Sequence, residues 1–259
     1  MTDSDIPLPL PEQPSRPAEQ TDRMPAFWRA MGVLLLLIIL TVFVTLLHQY
    51  GFELYLNLWH GDLDETARRQ AFTDHFTSPF GAALFYTLQF TLIMPTLHYA
   101  ADFPSQPWYH TLAFRRVPFS VAAYWLGIWF VTTTLVVILL SMMERPAENF
   151  MALMTAQPHW LMIVATIVMA PLMEECLFRG YLYQAIALTP LGATGAVLIT
   201  SVLFTGMHAQ QYTGYGMVQI FVLALVLGLA RARSGSLLVP LLIHVTQNTL
   251  ANVVPLIGN

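Results

Sequence analysis

Long apolar runs separated by short polar segments dominate the chain and predict its secondary structure. Most of these runs have the length that an α-helix needs to cross a bilayer, roughly 17–25 residues, and they carry few charges. The pattern predicts an all-α, polytopic transmembrane helical bundle of about seven spans. The predicted spans are residues 27–47, 80–101, 117–142, 160–188, 193–208, 217–233 and 237–257.

The polar segments between these runs indicate the domain organisation. Residues 1–25 are rich in Pro, Gln, Ser and charge, which is typical of a disordered N-terminal tail. Residues 26–157 are expected to hold the N-terminal transmembrane helices with their loops, and residues 158–257 a C-terminal helical core. Within the first part, residues 48–78 are expected to form a polar loop with a short amphipathic piece around 65–76.

The positions of the arginines predict an orientation in the membrane. Arg16, Arg23 and Arg29 precede the first span, and positively charged flanks favour the cytoplasmic side. The segment 103–116 combines Trp, Tyr and Arg, which is typical of a cytoplasmic interfacial segment. We therefore expect a multi-pass protein of the cell membrane with a cytoplasmic N-terminus.

Composition excludes several classes of protein. Of the 259 residues, 56% are hydrophobic and only 10% are charged, and the mean hydropathy is +0.58. These values fit a polytopic protein in contact with the lipid bilayer. The net charge of −4 and the absence of lysine provide no concentrated basic face for a nucleic-acid partner. The single cysteine, Cys176, excludes an intrachain disulfide and a cysteine-cluster metal site.

Three ionisable residues interrupt the apolar run at 160–188. Glu174, Glu175 and Arg179 lie within six positions of one another, and an ionisable side chain at the bilayer centre costs about 3 kcal/mol. Glu175 and Arg179 are four residues apart on one helix face, so they can pair. One interpretation is a buried ion pair that locks helix packing, or a helix end at the headgroups. The other is a wet cavity in which the carboxylates perform chemistry.

Three further polar residues, His208, His244 and Asn248, occur on later spans. At about 1.5 Å per residue, Glu174 and His208 both lie about 22–24 Å from the turn at 189–192, so antiparallel helices would bring them to one level. His244 lies about 14 Å from the membrane face at which that turn is expected, so its depth differs from that of Glu174 by about 10 Å. Each residue alone is typical of interhelical packing, and their joint placement with the glutamates is what indicates a site.

These residue types support more than one chemistry. A carboxylate beside imidazoles can act as a general base on water. Imidazole and amide N–H groups can stabilise an oxyanion. Glu174, His208 and His244 could also supply the three ligands of a catalytic Zn²⁺ site with an open fourth position. The chain contains no His-Glu-x-x-His and no Gly-x-Gly-Asp motif, so other classes of intramembrane hydrolase fit less well.

Three spaced motifs together resemble the signature of the CAAX prenyl protease 2-like family, also called CPBP intramembrane proteases. They are Glu174-Glu175-x-x-x-Arg179, Phe204-x-x-x-His208 and His244-x-x-x-Asn248. The resemblance covers about residues 158–255. It implies a multi-helical membrane endopeptidase, so the C-terminal core would be the catalytic one.

The resemblance also implies roles for the matching residues. Glu174 would be the base that activates water, with Glu175 beside it, and His208 would assist that base. His244 and Asn248 would stabilise the oxyanion or bind a metal. The resemblance leaves open whether the enzyme uses Zn²⁺ or is a metal-free, glutamate-dependent one.

The expected function is hydrolysis of a peptide bond of a membrane-associated or lipidated, CAAX-like protein or peptide. Arg179 and Phe204 are expected to support the site structurally, and the first three spans to act as scaffold or substrate gate. One alternative is a non-enzymatic membrane interaction or bacteriocin-immunity protein that retains the same fold. Another is a transporter that uses the carboxylates as a proton relay.

Overall fold

The structure, a computed structural model, describes residues 23–102, 106–142, 159–212 and 214–257. Every element within these residues is a helix, which confirms the all-α prediction. In chain order the helices are α1 (Arg23–Trp59), α2 (Glu65–Thr77), α3 (Pro79–Ala101), α4 (Trp108–Thr111), α5 (Phe119–Met142), α6 (Trp160–Ala187), α7 (Gly192–Met207), α8 (Gly214–Ser234) and α9 (Leu238–Ile257).

The lengths of these helices confirm a helical membrane bundle. In the part of the chain that the structure describes, α1, α3, α5, α6 and α8 are long and apolar enough to cross a membrane. The predicted span at 193–208 is present as α7, an apolar helix of 16 residues. At 1.5 Å per residue α7 is about 24 Å long, which is less than the hydrocarbon thickness of about 30 Å. The last predicted span is present as α9, with 20 residues.

The first helix is longer than predicted. The sequence suggested a span that ends at residue 47 and a polar loop from 48, but α1 continues to Trp59. Residues 48–59 contain no proline and include Leu54, Leu56 and Leu58, and Gly51 costs only about 1 kcal/mol within a helix, so α1 continues through them. The 37 residues of α1 extend about 55 Å, which exceeds the bilayer thickness including headgroups.

The amphipathic piece predicted around residues 65–76 is present as α2. Asp64 caps its N-terminus by accepting a hydrogen bond from a first-turn N–H group. His75 of α2 stacks on Phe52 of α1 with ring centroids 3.9 Å apart. The Nε2 atoms of His75 and His48 lie 2.9 Å apart. The extended end of α1 therefore provides the surface on which α2 packs.

Some predicted segments lie outside the described residues. Residues 1–22 of the predicted tail lie there, whereas residues 23–25, also predicted as tail, form the first turn of α1. Of the link predicted at 143–159, only His159 is described, and its side chain caps α6. Residues 103–105 of the interfacial segment also lie outside.

α6 is not a uniform α-helix. Two π-helical segments, Ala165–Met169 and Cys176–Leu182, flank the short α-helical segment Ala170–Glu175. Pro171 lies in the first turn of that α-helical segment, where its missing N–H group removes one helical hydrogen bond. Single π-helical turns within α-helices occur frequently at functional sites, and here they lie on either side of the two glutamates.

α6 lies at the centre of the bundle and is the most buried of the five long apolar helices. Its residues Met173, Cys176 and Phe178 belong to a core cluster that also includes Leu97 of α3 and Phe204 of α7. A Cβ atom at Gly180 would lie 3.0 Å from Cδ2 of Leu112, so the glycine permits the segment after α4 to approach α6 closely. The glutamates are thus held within the packed interior.

Candidate functional site

The site is built around an ion pair on α6. Arg179 Nη1 donates a hydrogen bond to Glu175 Oε1 at 3.0 Å, and both side chains are completely buried. The four-residue spacing predicted this pair, although the backbone between the two residues is largely π-helical. Arg179 Nη2 also donates to the carbonyl oxygen of Ala224 on α8 at 3.1 Å. The guanidinium carbon lies 4.4 Å from the ring centroid of Phe204, which is a cation–π contact.

A second arginine supports the first. Arg231 Nε donates to the carbonyl oxygen of Arg179 at 2.9 Å, and its guanidinium lies 4.8 Å from the ring centroid of Tyr183. Arg231 is buried, with 5% of its surface exposed. The sequence indicated Arg231 only as a membrane-flanking charge, so its contact with α6 was missed.

His244 of α9 joins the ion pair to the second glutamate. Its Nδ1 atom lies 2.9 Å from Glu175 Oε1, which accepts hydrogen bonds from both His244 and Arg179. Its Nε2 atom lies 3.8 Å from Glu174 Oε2, which is too long for a direct hydrogen bond. Within the described residues, the buried Oε2 atom of Glu174 has no hydrogen-bond partner.

The position of His244 removes the depth mismatch that the sequence suggested. The count of about 1.5 Å per residue treated the whole of α6 as an α-helix. The segment Cys176–Leu182 lies between Glu174 and the turn at 189–192, and its π-helical turns hold more residues per turn. Glu174 therefore lies somewhat closer to that turn than an α-helix would place it, although seven residues account for only a small part of the expected difference of about 10 Å. The contact between His244 and Glu175 shows that α9 packs against α6 at this level.

Phe204 of α7 packs beside both histidines. Its ring centroid lies 4.7 Å from that of His208 and 5.7 Å from that of His244. His208 Nδ1 lies 2.8 Å from the carbonyl oxygen of Phe204, and because a carbonyl can only accept, Nδ1 carries the proton. His208 Nε2 therefore carries a lone pair in the neutral ring. No hydrogen bond joins His208 to either glutamate in the described part of the chain.

Asn248 lies one turn beyond His244 and connects α9 to α6. Its Nδ2 atom donates to the carbonyl oxygen of Thr166 in the first π-helical segment at 2.8 Å. Asn252 Nδ2 donates to the Asn248 carbonyl oxygen at 2.8 Å, and the Thr166 hydroxyl donates to Asn252 Oδ1 at 3.3 Å. The sequence reading missed Asn252 and Thr166. The four-residue spacing from Asn248 to Asn252 was the available signal.

One of the first three spans, which are expected to act as scaffold or substrate gate, adjoins the segment that carries the glutamates. α3 packs directly against the Ala170–Glu175 segment of α6. The hydroxyl oxygen of Tyr86 on α3 accepts a hydrogen bond from Gln211 Nε2 at 3.2 Å. Neither Tyr86 nor Gln211 belongs to a motif, so the sequence gave no signal for them.

The charges of the cluster nearly balance. Glu174 and Glu175 supply two buried carboxylates, and Arg179 supplies one cation. A single extra proton, held by His244 or by Glu174, makes the group neutral, and a buried charge without a partner is strongly unfavourable. A proton that can reside on either of two groups 3.8 Å apart is suited to acid–base chemistry.

Among the residues that the structure describes, no group of three or more His, Cys, Asp or Glu side chains is arranged to hold a metal ion. His208 and His244, two of the three ligands predicted for Zn²⁺, both pack against the ring of Phe204. The zinc set of Glu174, His208 and His244 stays a prediction.

The comparisons with known proteins agree with the three motifs. Residues 155–250 match the family model of the type II CAAX prenyl endopeptidases, described as Rce1-like. This segment contains all three motifs and confirms the resemblance to the CAAX protease family.

One curated relative is an uncharacterised 24.3 kDa protein of Escherichia coli. It is 38% identical over 114 residues, which are 40% of this chain and 51% of the relative. The chain therefore spans about half the length of that relative. No solved structure matches the chain.

Proposed function

We propose that this chain, whose residues 155–250 match the family model of the type II CAAX prenyl endopeptidases, is an intramembrane endopeptidase that hydrolyses its substrate with a water activated by Glu174. The substrate is a membrane-associated or lipidated, CAAX-like protein or peptide. The N-terminus lies in the cytoplasm, as the flanking arginines predict.

One observation carries the proposal, namely the different surroundings of the two adjacent glutamates. Glu175 is completely buried and accepts hydrogen bonds from Arg179 and His244. Glu174 lies beside it and accepts no hydrogen bond from the described residues, with its Oε2 atom 3.8 Å from His244 Nε2. One oxygen of Glu175 is also unpartnered, but that side chain is completely enclosed, whereas the Glu174 side chain is 10% exposed. A carboxylate with free acceptor capacity and some access can bind and deprotonate a water, whereas an enclosed one that holds Arg179 and His244 is less suited to do so.

The proposed reaction begins with a water beside the gap between Glu174 and His244. The water donates a proton to the Glu174 carboxylate while its oxygen attacks the carbonyl carbon of the peptide bond. The tetrahedral intermediate then collapses as protonated Glu174 passes that proton to the leaving nitrogen and the C–N bond breaks. The products are one new carboxyl group and one new amine, and Glu174 returns to its carboxylate form.

His244 and Asn248 supply the donors for the oxyanion in this proposal. With Nδ1–H bonded to Glu175, a protonated His244 ring directs its Nε2–H toward the reacting groups. Asn248 uses one amide N–H for Thr166 and has a second one for the oxyanion. His208, with its lone pair on Nε2, assists the base by accepting a hydrogen bond from the water or from the attacking hydroxyl.

The surroundings of the site favour this chemistry. Phe178 and Phe204 pack edge to face with ring centroids 5.5 Å apart and cover the ion pair with apolar surface. Because they exclude bulk water, each remaining polar contact is stronger than it would be in solvent.

The experiment that tests the function compares peptides released from membranes that contain the wild type or the Glu174→Gln variant. The amide cannot take a proton from water, so we expect peptide release to fall at least about 100-fold while protein abundance is retained. The matched control is Glu53→Gln, which makes the same change at an exposed glutamate of α1 and should release the wild-type peptides.

The same comparison addresses the non-enzymatic alternative. A membrane interaction or immunity protein would give the same peptide profile with the wild type, the Glu174→Gln variant and membranes that lack the protein. That result would remove the endopeptidase proposal.

A further inference from the structure

We propose that Arg231 of α8 is a positioning residue for the proposed hydrolysis. It fixes the place at which the second π-helical segment of α6 returns to α-helix, and through Arg179 it keeps the two glutamates and His244 in their relative positions. This inference rests on the proposed function, and it adds to the site a residue that lies outside the three motifs.

Arg231 contacts α6 on both sides of this junction. Its Nε atom donates to the carbonyl oxygen of Arg179 at 2.9 Å, and Arg179 lies within the π-helical segment Cys176–Leu182. Its guanidinium carbon lies 4.8 Å from the ring centroid of Tyr183, the first residue of the α-helical segment that follows. One side chain therefore holds the π-helical segment and the α-helical turn after it.

α8 holds Arg179 at a second point. Arg179 Nη2 donates to the carbonyl oxygen of Ala224 at 3.1 Å. Ala224 and Arg231 are seven residues apart, which is about two helical turns, so both lie on the same face of α8. Arg179 is thus held by its main chain and by its side chain from one helix, and it has little freedom to move away from Glu175.

The part of α8 that carries these contacts is itself packed tightly. A Cβ atom at Gly228 would lie 3.0 Å from Cγ1 of Val197 on α7, so the glycine permits α8 to approach α7 closely. Leu227 and Ala230 on α8 are completely buried. The donor group of Arg231 is therefore attached to a helix that is fixed from the opposite side.

The burial of Arg231 is not explained by a counter-ion or by the end of α8. No carboxylate of the described residues forms a salt bridge with Arg231, and a buried cation without such a partner is unfavourable. A cation in the last turn of a helix stabilises that end, but Arg233 does so from an exposed position in the same turn. The contacts with α6 account for the burial of Arg231.

The position of the π-helical turns determines how the side chains of α6 face their neighbours. A π-helical turn contains more residues than an α-helical turn, so a different position of these turns would rotate Arg179 relative to Glu175 about the helix axis. The pair, now 3.0 Å apart, would then be lost. A side chain that holds the main chain at Arg179 opposes this rotation.

An unbroken series of contacts leads from Arg231 to the site. Arg179 Nη1 donates to Glu175 Oε1, and the same oxygen lies 2.9 Å from His244 Nδ1. The other ring nitrogen of His244 faces the Glu174 carboxylate at 3.8 Å. A displacement of about 1 Å at a catalytic group can lower a rate about 100-fold. The loss of Arg231 should therefore affect turnover even though Arg231 does not touch the reacting groups.

The first test is kinetic and uses the full chain in lipid nanodiscs, with an internally quenched peptide that carries an S-farnesyl cysteine as the probe. Arg231→Met fills the position with an unbranched apolar side chain and removes the donor. We expect kcat per folded molecule to fall roughly 10- to 100-fold with little change in KM. Arg231→Lys keeps a charged donor for the carbonyl and should recover most of this loss. Arg233→Met, at an exposed arginine of the same helix, is the matched control and should retain the wild-type kcat.

The second test does not depend on turnover. Arg179–Gly180 is the only Arg-Gly pair in the sequence, so carbonyl-¹³C arginine combined with ¹⁵N-glycine gives a single carbonyl–nitrogen NMR signal from this peptide bond. A carbonyl that loses a charged donor is less polarised. We therefore expect the carbonyl signal to move to lower chemical shift in Arg231→Met and to stay in place in Arg233→Met.

A third variant tests the same contact from α6 and leaves every charge in place. Tyr183→Leu removes the ring against which the Arg231 guanidinium packs. The donor is then less well oriented, so we expect the carbonyl signal to move in the same direction as in Arg231→Met, with a smaller decrease in kcat.

The outcomes separate this inference from the proposed function. An unshifted carbonyl signal in Arg231→Met would overturn the role of Arg231. So would a lower unfolding temperature with wild-type kcat per folded molecule, because that result describes a purely structural residue. Both results leave the function intact. If Glu174→Gln cleaves the probe as fast as the wild type, the proposed function fails, and the NMR comparison still decides whether Arg231 holds the Arg179 carbonyl.

Discussion

At the scale of single residues, two glutamates that are adjacent in sequence have different partners. Glu175 is fixed by Arg179 and His244, and Glu174 accepts no hydrogen bond from the described residues. Sequence spacing predicted the Glu175–Arg179 pair, because residues four apart share a helix face. It could not predict that His244 contacts both carboxylates, because that contact depends on how α9 packs against α6.

Loss of Arg179 should destabilise the protein. Arg179→Ala leaves Glu175 buried without its permanent cation, and breaking a buried pair in this way costs about 3–5 kcal/mol. We expect a lower unfolding temperature in detergent and a lower abundance in membranes. Arg233→Ala, at an exposed arginine of α8, is the matched control and should unfold like the wild type. Wild-type stability of Arg179→Ala would show that the pair does not hold the core together.

At the scale of helices, the apolar runs predicted most of the elements. The runs at 80–101 and 117–142 correspond to α3 and α5 with ends that differ by one or two residues, because polar or proline residues terminate them. The end of α1 was not predictable in this way, since the polar residues and Gly51 within 48–59 suggest a loop, and yet no proline ends the helix there. The π-helical segments of α6 were also missed, because apolar composition does not distinguish π from α hydrogen bonding.

The packing of α2 on α1 should depend on pH through His75. Burial lowers the pKa of His75 below its usual 6.5, so the packed state favours the neutral ring. The neutral His75 ring therefore stabilises the packing of α2 fully above pH 6.5. This stabilisation is lost as the pH falls from 6.5 through the lower pKa of the packed state. If His75 and His48 were both protonated, the hydrogen bond between their Nε2 atoms, 2.9 Å apart, would also be lost.

Hydrogen exchange along α2 measures this effect. We expect exchange in α2 to increase when the pH falls below 6.5, after correction for the intrinsic pH dependence of exchange. His75→Phe keeps the aromatic contact with Phe52 and should reduce the pH dependence to the part that His48 contributes. His110→Phe makes the same change at an exposed histidine and should leave it unchanged. Equal pH dependence in all three proteins would rule out His75 as the titrating group.

At the scale of the whole molecule, the helices divide into a lipid-facing scaffold and a polar centre. α1 and α5 expose many large apolar side chains, among them Leu35, Ile38, Phe130 and Leu135, which suits contact with lipid. α6 is the most buried of the long helices and carries both glutamates. The three motifs predicted which C-terminal helices meet at the site. They gave no information on α3, because its packing against α6 joins two distant parts of the chain.

The central claim is the division of roles between Glu174 and Glu175, and paired turnover and unfolding measurements on the two amide variants test it most directly. In one nanodisc preparation, Glu174→Gln should lose at least about 100-fold in turnover and unfold like the wild type, because its carboxylate is the base and has few structural contacts. Glu175→Gln should be destabilised by about 3–5 kcal/mol, because Arg179 loses its charged partner. Near wild-type turnover in Glu174→Gln, or an equal loss of stability in both variants, would contradict this division.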